Sequence, residues 1–188
     1  MEKISSGLSL STEYFMRNFY INNRNVISAN GRNNYSKLEL SFEDSRALHK
    51  AAKHLVKADY GAETDNSDID ETTKSSIEAF VKTYNNTLDS SKSDDYDTQR
   101  ALKQMKSLSN KYKDELGDIG ITVESNGKLT IKEDLLKVAD KSKVRKVFSK
   151  ENEFSKKAFS ISKQMNESIR NNLLAESTGN GKKINICL

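Results

Sequence analysis

Four groups of residues in this 188-residue chain have types that could do chemistry. The first is the histidine pair, His49 and His54, on one helical stretch. Imidazoles that share a zinc ion need i, i+4 or similar spacing. At i, i+5 and ~100° per residue they point ~140° apart, which defeats a shared metal. The second is the acidic run Asp65 to Glu71. A calcium loop needs glycine at its sixth place and glutamate at its twelfth, and these are Asp70 and Ser76. The run reads instead as an acidic linker carrying helix N-caps. The third is Cys187, a lone thiol next to the last residue and so out of place for a prenylation box. The fourth is the basic stretch Lys141, Lys143, Arg145, Lys146 and Lys150. Val144, Val147 and Phe148 interleave it as inward positions, which makes it a solvated helix face more than a nucleic-acid stripe. No glycine-rich phosphate loop, nucleophile elbow or Ser/His/Asp constellation stands out, so the expectation is a protein that is not an enzyme and needs no cofactor or metal.

The elements that hold these residues are legible from periodicity. Ser41 is the expected N-cap of a first helix, with Glu43 and Asp44 in its first turn and Leu48, Ala51, Ala52, Leu55 and Val56 inward. Gly61 suits the left-handed residue after its end. Ile77, Phe80, Val81, Tyr84 and Leu88 form a second stripe. Ala101, Met105, Leu108 and Tyr112 form a third. Two β-favouring runs between Ile119 and Ile131 flank Asn126-Gly127, the pair suited to a type I′ hairpin turn. Thr130 and Glu133 have capping-box spacing for a helix bearing Leu135, Leu136, Val138 and Ala139. Val144, Val147 and Phe148 mark a short helix. A last helix is expected from about Asn152 to Leu174, with Phe154, Ala158, Ile161, Met165, Ile169 and Leu173 on one face.

The fold class that follows is mainly α, an elongated helical bundle with one small β-hairpin at about 119–131. Residues 1–40 read as a short helix around Tyr14, Phe15 and Phe19 followed by irregular chain, 41–175 as the helical rod, and 176–188 as a loose tail. Composition agrees: 35% hydrophobic and 31% charged residues, mean hydropathy -0.77, no proline and one cysteine. That allows a slim core without helix breakers, and excludes an internal disulfide. No stretch nears the ~18–20 apolar residues of a membrane helix, and Met1 to Leu10 lacks the apolar core of a cleaved signal. Charge is unequal along the chain. Residues 61–100 carry 10 Asp/Glu against 4 Lys/Arg, while 101–188 carry 11 against 18. An acidic middle beside a basic end can help segments pack, or help copies meet head to tail.

Several segments, in order, carry a resemblance. Phe80-Val81-Lys-Thr-Tyr84-Asn85 is followed by Leu116-Gly-Asp-Ile119-Gly120-Ile121, then Asn126-Gly127-Lys-Leu129-Thr130, then Val144-Arg-Lys-Val147-Phe148 and a long terminal helix. Over about residues 70–175 this resembles the C-terminal part of the flagellar filament cap protein family, also called hook-associated protein 2. The resemblance implies a helical rod with a β-hairpin, exported without a cleaved signal to the bacterial flagellum or cell exterior. It further implies association with its own copies or with flagellin-like subunits. The family places large β-rich domains ahead of the Phe-Val-x-x-Tyr-Asn helix. Only about seventy residues stand there in this chain, which implies a reduced form.

From the residues themselves, Phe80, Val81 and Tyr84 are expected in the core, Asn85 bonded locally near a helix end, and Ile121 and Leu129 on the hairpin's inner side. The stripe Phe154, Ile161, Met165, Ile169 and Leu173 is the face expected to be left in part for a protein partner. The alternative in another class is a soluble chaperone-like or regulatory module, cytoplasmic, that holds an exported helix.

Overall fold

The computed structural model describes residues 32–33, 35–62, 64–65, 67–92 and 95–180, with only the backbone of 177–180. Tyr14, Phe15, Phe19 and Cys187 lie outside the described residues. Among the described residues, seven helices and one two-stranded sheet follow in the order α1 (Lys37–Lys57), α2 (Glu71–Ser90), α3 (Tyr96–Lys111), α4 (Lys113–Gly117), β1 (Ile121–Val123), β2 (Leu129–Ile131), α5 (Glu133–Lys137), α6 (Lys141–Phe148) and α7 (Glu153–Asn180). The fold is mainly α with one small hairpin.

α1 begins one turn earlier than Ser41. The cap is Ser36, whose hydroxyl accepts from the Glu39 N–H while the Glu39 carboxylate accepts from the Ser36 N–H. This is a reciprocal capping box, Ser-Lys-Leu-Glu, and it satisfies two orphan donors where Ser41 would have satisfied one. Ser41 instead sits inside the helix, fully buried, with its hydroxyl against that of Ser91. That contact places the start of α1 beside the end of α2, so the two run antiparallel. α1 ends on Ala58, and Gly61 takes its positive φ of 73° in the loop beyond. Asp70 caps α2, accepting from the Thr73 N–H at 2.7 Å.

The core is built from the expected stripes. Ile77, Phe80, Val81, Tyr84 and Leu88 are all 5% exposed or less. α1 packs against α2 on one side and α7 on the other, and α7 also covers α3. Phe80, Phe148 and Phe154 meet edge to face with centroids 5.8 to 6.3 Å apart, and Tyr112 adds to Phe154 at 5.5 Å. Each buried ring stabilises by roughly 1.5–3 kcal/mol through burial alone.

Two local expectations are corrected in the hairpin region. Within the turn, Gly127 has positive φ, at 84°, but Asn126 does not, and a type I′ turn would need it at both. Five residues separate the strands, and the innermost three, Ser125 to Gly127, form the loop: the Glu124 N–H donates to Lys128 O, and the Gly127 N–H donates to Glu124 O, both at 2.8 Å. That is a type I pattern followed by a left-handed glycine. Thr130 does not cap α5, because it pairs with Thr122 in the ladder. Lys132 takes the cap position with no side-chain cap bond, and its N–H donates to Gly120 O at 2.8 Å. α5 is one turn only, burying Leu136 and leaving Leu135 exposed. α7 runs past Leu174 to Asn180.

Gly120 joins hairpin to helix. Its φ is 81°, and a Cβ there would lie 2.8 Å from the Leu136 nitrogen. At the other end of this region Glu153, at the start of α7, accepts from Lys111 (2.7 Å), Lys157 (2.5 Å) and the Tyr112 hydroxyl (3.0 Å). These three donors hold its carboxyl down to about 2.

Two outcomes are expected. Gly120→Ala loses at least about 1–3 kcal/mol from backbone strain, plus the clash with α5. Gly117→Ala, at a helical site with nothing within 4 Å of the added carbon, is neutral or slightly stabilising. Urea unfolding of both variants checks this. For Glu153 the folded value lies below the ordinary 4.5, so its contribution is present above about 4.5 and lost as pH falls toward 2. Glu153→Gln should flatten the stability profile across that window at low salt, with the wild type losing more stability than the variant between its two limits.

Candidate functional site

Residues of α2 and of the 119–129 segment meet along one seam between that helix and the hairpin. Tyr84 and Asn85 are neighbours in α2, one turn before its end, so one points into the core and the other to its flank. The Tyr84 ring is buried, and its hydroxyl donates to Gly127 O at 2.8 Å while accepting from Ser109 at 3.3 Å. Burial pushes that hydroxyl up to about 12, so it stays a donor at any ordinary pH.

Asn85 is the pivotal group. Its Nδ2 donates to Leu129 O at 2.7 Å, and its Oδ1 accepts from the Leu129 N–H at 2.9 Å. This corrects the expected local bond: the partner lies 44 residues on in sequence. A primary amide offers one donor and one acceptor at the spacing of a backbone peptide, so Asn85 pairs with β2 as a strand neighbour would. Leu129 is thereby saturated, and its side chain turns inward beside Val123 with 2% exposed. Lys128 adds an exposed ion pair to Asp89 at 2.7 Å, one helical turn beyond Asn85.

Ile119 and Ile121 are fully buried under the same seam, and Gly120 lies between them. Asn126 holds the loop, its side chain accepting from the Lys128 N–H at 2.8 Å. The ten motif residues Phe80, Val81, Tyr84, Asn85, Ile119, Gly120, Ile121, Asn126, Gly127 and Leu129 therefore serve one junction. Phe80 and Val81 reach it through the core.

The proposed partner face is placed differently. Phe154, Ile161, Met165, Ile169 and Leu173 are between 0% and 9% exposed, inside the chain's own core. The cause is α1: it lies along α7 and, with α3, covers the stripe from both sides. Polar groups align that packing. Asn166 donates to Phe42 O and to the Ser45 hydroxyl at 3.3 and 2.9 Å. Asn172 donates to Asp95 at 2.6 Å. Asp95 also caps α3 through the Asp97 and Thr98 N–H groups. Burial opposes its charge, but the bonds from Thr98, Asp97 and Ser168 prevail and hold the carboxyl below its usual range.

Asp44 forms a two-pronged pair with Arg32 at 2.7 Å for each bond. Burial nonetheless pushes Asp44 up, since the carboxylate is 1% exposed. None of these long-range pairings has a local sequence signal.

The other chemistry-bearing residues do not gather. His49 stacks on Phe159 at 4.8 Å and lies 3.4 Å from Ser162, facing α7. Burial lowers both histidines. Among the described residues no three His, Cys, Asp or Glu side chains stand close enough to hold a metal ion. Asp65 binds Ser67 and pairs with Lys141, while Asp140 pairs with Lys143. No helix among the described residues is long and apolar enough to cross a membrane.

Among the described residues are two open clefts. One, of about 600 Å³, lies between the ends of α1 and α6, lined by Lys57, Asp59, Tyr60, Arg145, Lys150 and Glu151 among others. The second, of about 550 Å³, runs between α3 and α7 past Arg100, Gln104, Gln164 and Glu167. In comparisons with known proteins the chain matches no family model, no curated protein and no solved structure.

Removing Asn85 leaves two backbone groups of Leu129 unsatisfied, so Asn85→Ala should cost about 2–4 kcal/mol. Asn85→Asp keeps the acceptor and loses the donor, facing a carbonyl with a carboxylate, and should not rescue. Tyr84→Phe should cost about 1 kcal/mol. Hydrogen exchange at Leu129 discriminates: its amide should lose protection in Asn85→Ala and keep most of it in Tyr84→Phe.

Proposed function

We propose that this protein is a non-enzymatic assembly protein related to the rod part of flagellar filament caps. It acts by helix–helix association with its own copies or with flagellin-like subunits, at the bacterial flagellum or cell exterior. The observation that carries the reading is the seam. The segments on which the resemblance rests are far apart in sequence, and Tyr84 and Asn85 bond directly to Gly127 and Leu129.

The burial of Phe154 to Leu173 refines the mechanism. Association uses the outer surface of the folded chain, not the stripe that α1 and α3 already cover. Sedimentation velocity over a wide concentration range, together with titration against the terminal helices of a flagellin, tests the proposal. The expected result is concentration-dependent association or saturable binding to those helices. A chain that stays monomeric throughout and binds neither would overturn it.

A further inference from the structure

The outward face of α1 carries charge of one sign. From Ser45 to Ala58 there is no acidic residue, while Arg46, Lys50, Lys53 and Lys57 recur at i, i+4, i+7 and i+11. At ~100° per residue these four fall within about 60° of arc, and at ~1.5 Å per residue they span about 16 Å. The opposite face, with Ala47, Leu48, Ala51, Ala52 and Leu55, is buried in the core. Lys53 and Lys57 are exposed, and Arg46 and Lys50 are partly so.

The fold leaves this ridge largely uncompensated. Glu43 pairs with Arg46 at 3.6 Å. Among the described residues no carboxylate lies within 4 Å of the Lys50, Lys53 or Lys57 ammonium. Burial and the neighbouring Arg46 push Lys50 down, and only Glu43 acts the other way. On the α7 flank, Lys53 and Lys163 both disfavour a charged His49, against Glu167. Like charges three and four residues apart destabilise a helix. The helix dipole offsets this only in the last turn, at His54 and Lys57. Arg46, Lys50 and Lys53 lie beyond its reach.

We propose that this ridge docks a short acidic segment of a partner protein, whose carboxylates pair with Arg46, Lys50, Lys53 and Lys57. The ends of the ridge select that occupant. Glu39 and Glu43 stand before Arg46, and Asp59 follows Lys57, so the cationic run is bounded by acids at about three helical turns. A nucleic-acid duplex or an anionic bilayer carries its charge past both ends and meets those acids. An acidic helix of about three turns does not, and its i, i+4 spacing matches the ridge. The one aromatic residue of α1, Phe42, is buried, which leaves no ring on α1 for a base to stack on. Without an apolar seam the contact is weak, quickly formed and sensitive to salt. It goes beyond the assembly reading and does not depend on it.

The test uses the full chain and a labelled helical peptide of about twenty residues, long enough to be helical in isolation. The peptide carries glutamates at i, i+4, i+7 and i+11 on one face, and a scrambled peptide of equal charge serves as its control. Fluorescence anisotropy should show saturable binding of the patterned peptide that weakens as salt is raised. Lys50→Gln/Lys53→Gln should weaken it at least about tenfold. The same variant should keep or raise the urea midpoint, because two repelling charges are gone. Lys143→Gln/Lys146→Gln on α6 removes the same net charge and should leave binding unchanged.

Equal binding of the scrambled peptide, or an equal loss in the α6 variant, would reduce the effect to net charge and overturn the proposal. So would tighter binding of duplex DNA or phosphatidylserine vesicles than of the patterned peptide. A fall in the urea midpoint of the α1 variant with peptide binding unchanged would make the ridge structural. Loss of self-association in that variant would make a second copy the occupant in place of a foreign partner. No peptide binding by a wild type that still associates would remove the ridge and leave the assembly reading standing.

Discussion

The side-chain amide of Asn85, closing both backbone groups of Leu129, is the contact on which the hairpin and everything after it depend. A two-stranded sheet of three residues a side has two open edges and little independent stability. Here the α2 helix supplies a substitute strand neighbour at one residue of β2. With Leu129 fixed, Ile121, Val123 and Leu129 all face the core, and Gly120 is brought against α5 closely enough that no side chain fits. Tyr84 repeats the tie two residues earlier in β2's loop, through Gly127. α2 is thus both a bundle helix and the platform that makes the hairpin stable.

Elsewhere, partly buried polar groups between helices set the alignment of the bundle. A one-turn slip of α7 along its neighbours would separate Asn166 from Ser45 and Asn172 from Asp95 together. Each stranded polar group would cost about 1–3 kcal/mol. Apolar stripes alone resist such a slip weakly, because Met165 and Ile169 are nearly interchangeable in volume and both lie fully buried. The pair between Arg32 and Asp44 is of another kind. Burial raises Asp44 even beside the guanidinium, so desolvation consumes most of what the pair returns. Its two-pronged geometry fixes the chain ahead of α1 more than it adds stability.

How far the sequence could be read follows from the range of each interaction. Stripes such as Ile77 to Leu88 report burial through local periodicity, and all of that stripe is in the core. The same holds for the hairpin, whose β-favouring runs and glycine are neighbours in sequence. Where two local signals competed, the nearer optimum was missed. Ser36 with Glu39 makes a complete box and outweighs Ser41, and a three-residue loop with one left-handed glycine replaced the two-residue turn that Asn-Gly suggests. Thr130 and Glu133 had capping spacing, but the ladder claimed Thr130 first. Asn85 stands among the motif residues, but its expected local bond is replaced by a pairing with Leu129. An asparagine near a helix end has several local partners available, and only the packed structure shows a strand beside it.

The same limit of range governs the terminal helix. An apolar stripe kept for a partner and one packed inside its own chain have the same spacing, so periodicity cannot separate them. The other helices decide, and here α1 and α3 leave Phe154, Met165, Ile169 and Leu173 at most 4% exposed. Offering that face to another molecule would require α7 to leave the bundle. It would break the aromatic cluster around Phe154 and expose side chains worth roughly 1.5–3 kcal/mol each, which together rival the whole stability of a domain of this size. Any recognition by the folded protein must therefore act through what the bundle leaves outside. For a chain this slim, that means the outward face of α1, and the ends of the helices and the short α5 turn, where Tyr96, Leu135 and Val138 meet water.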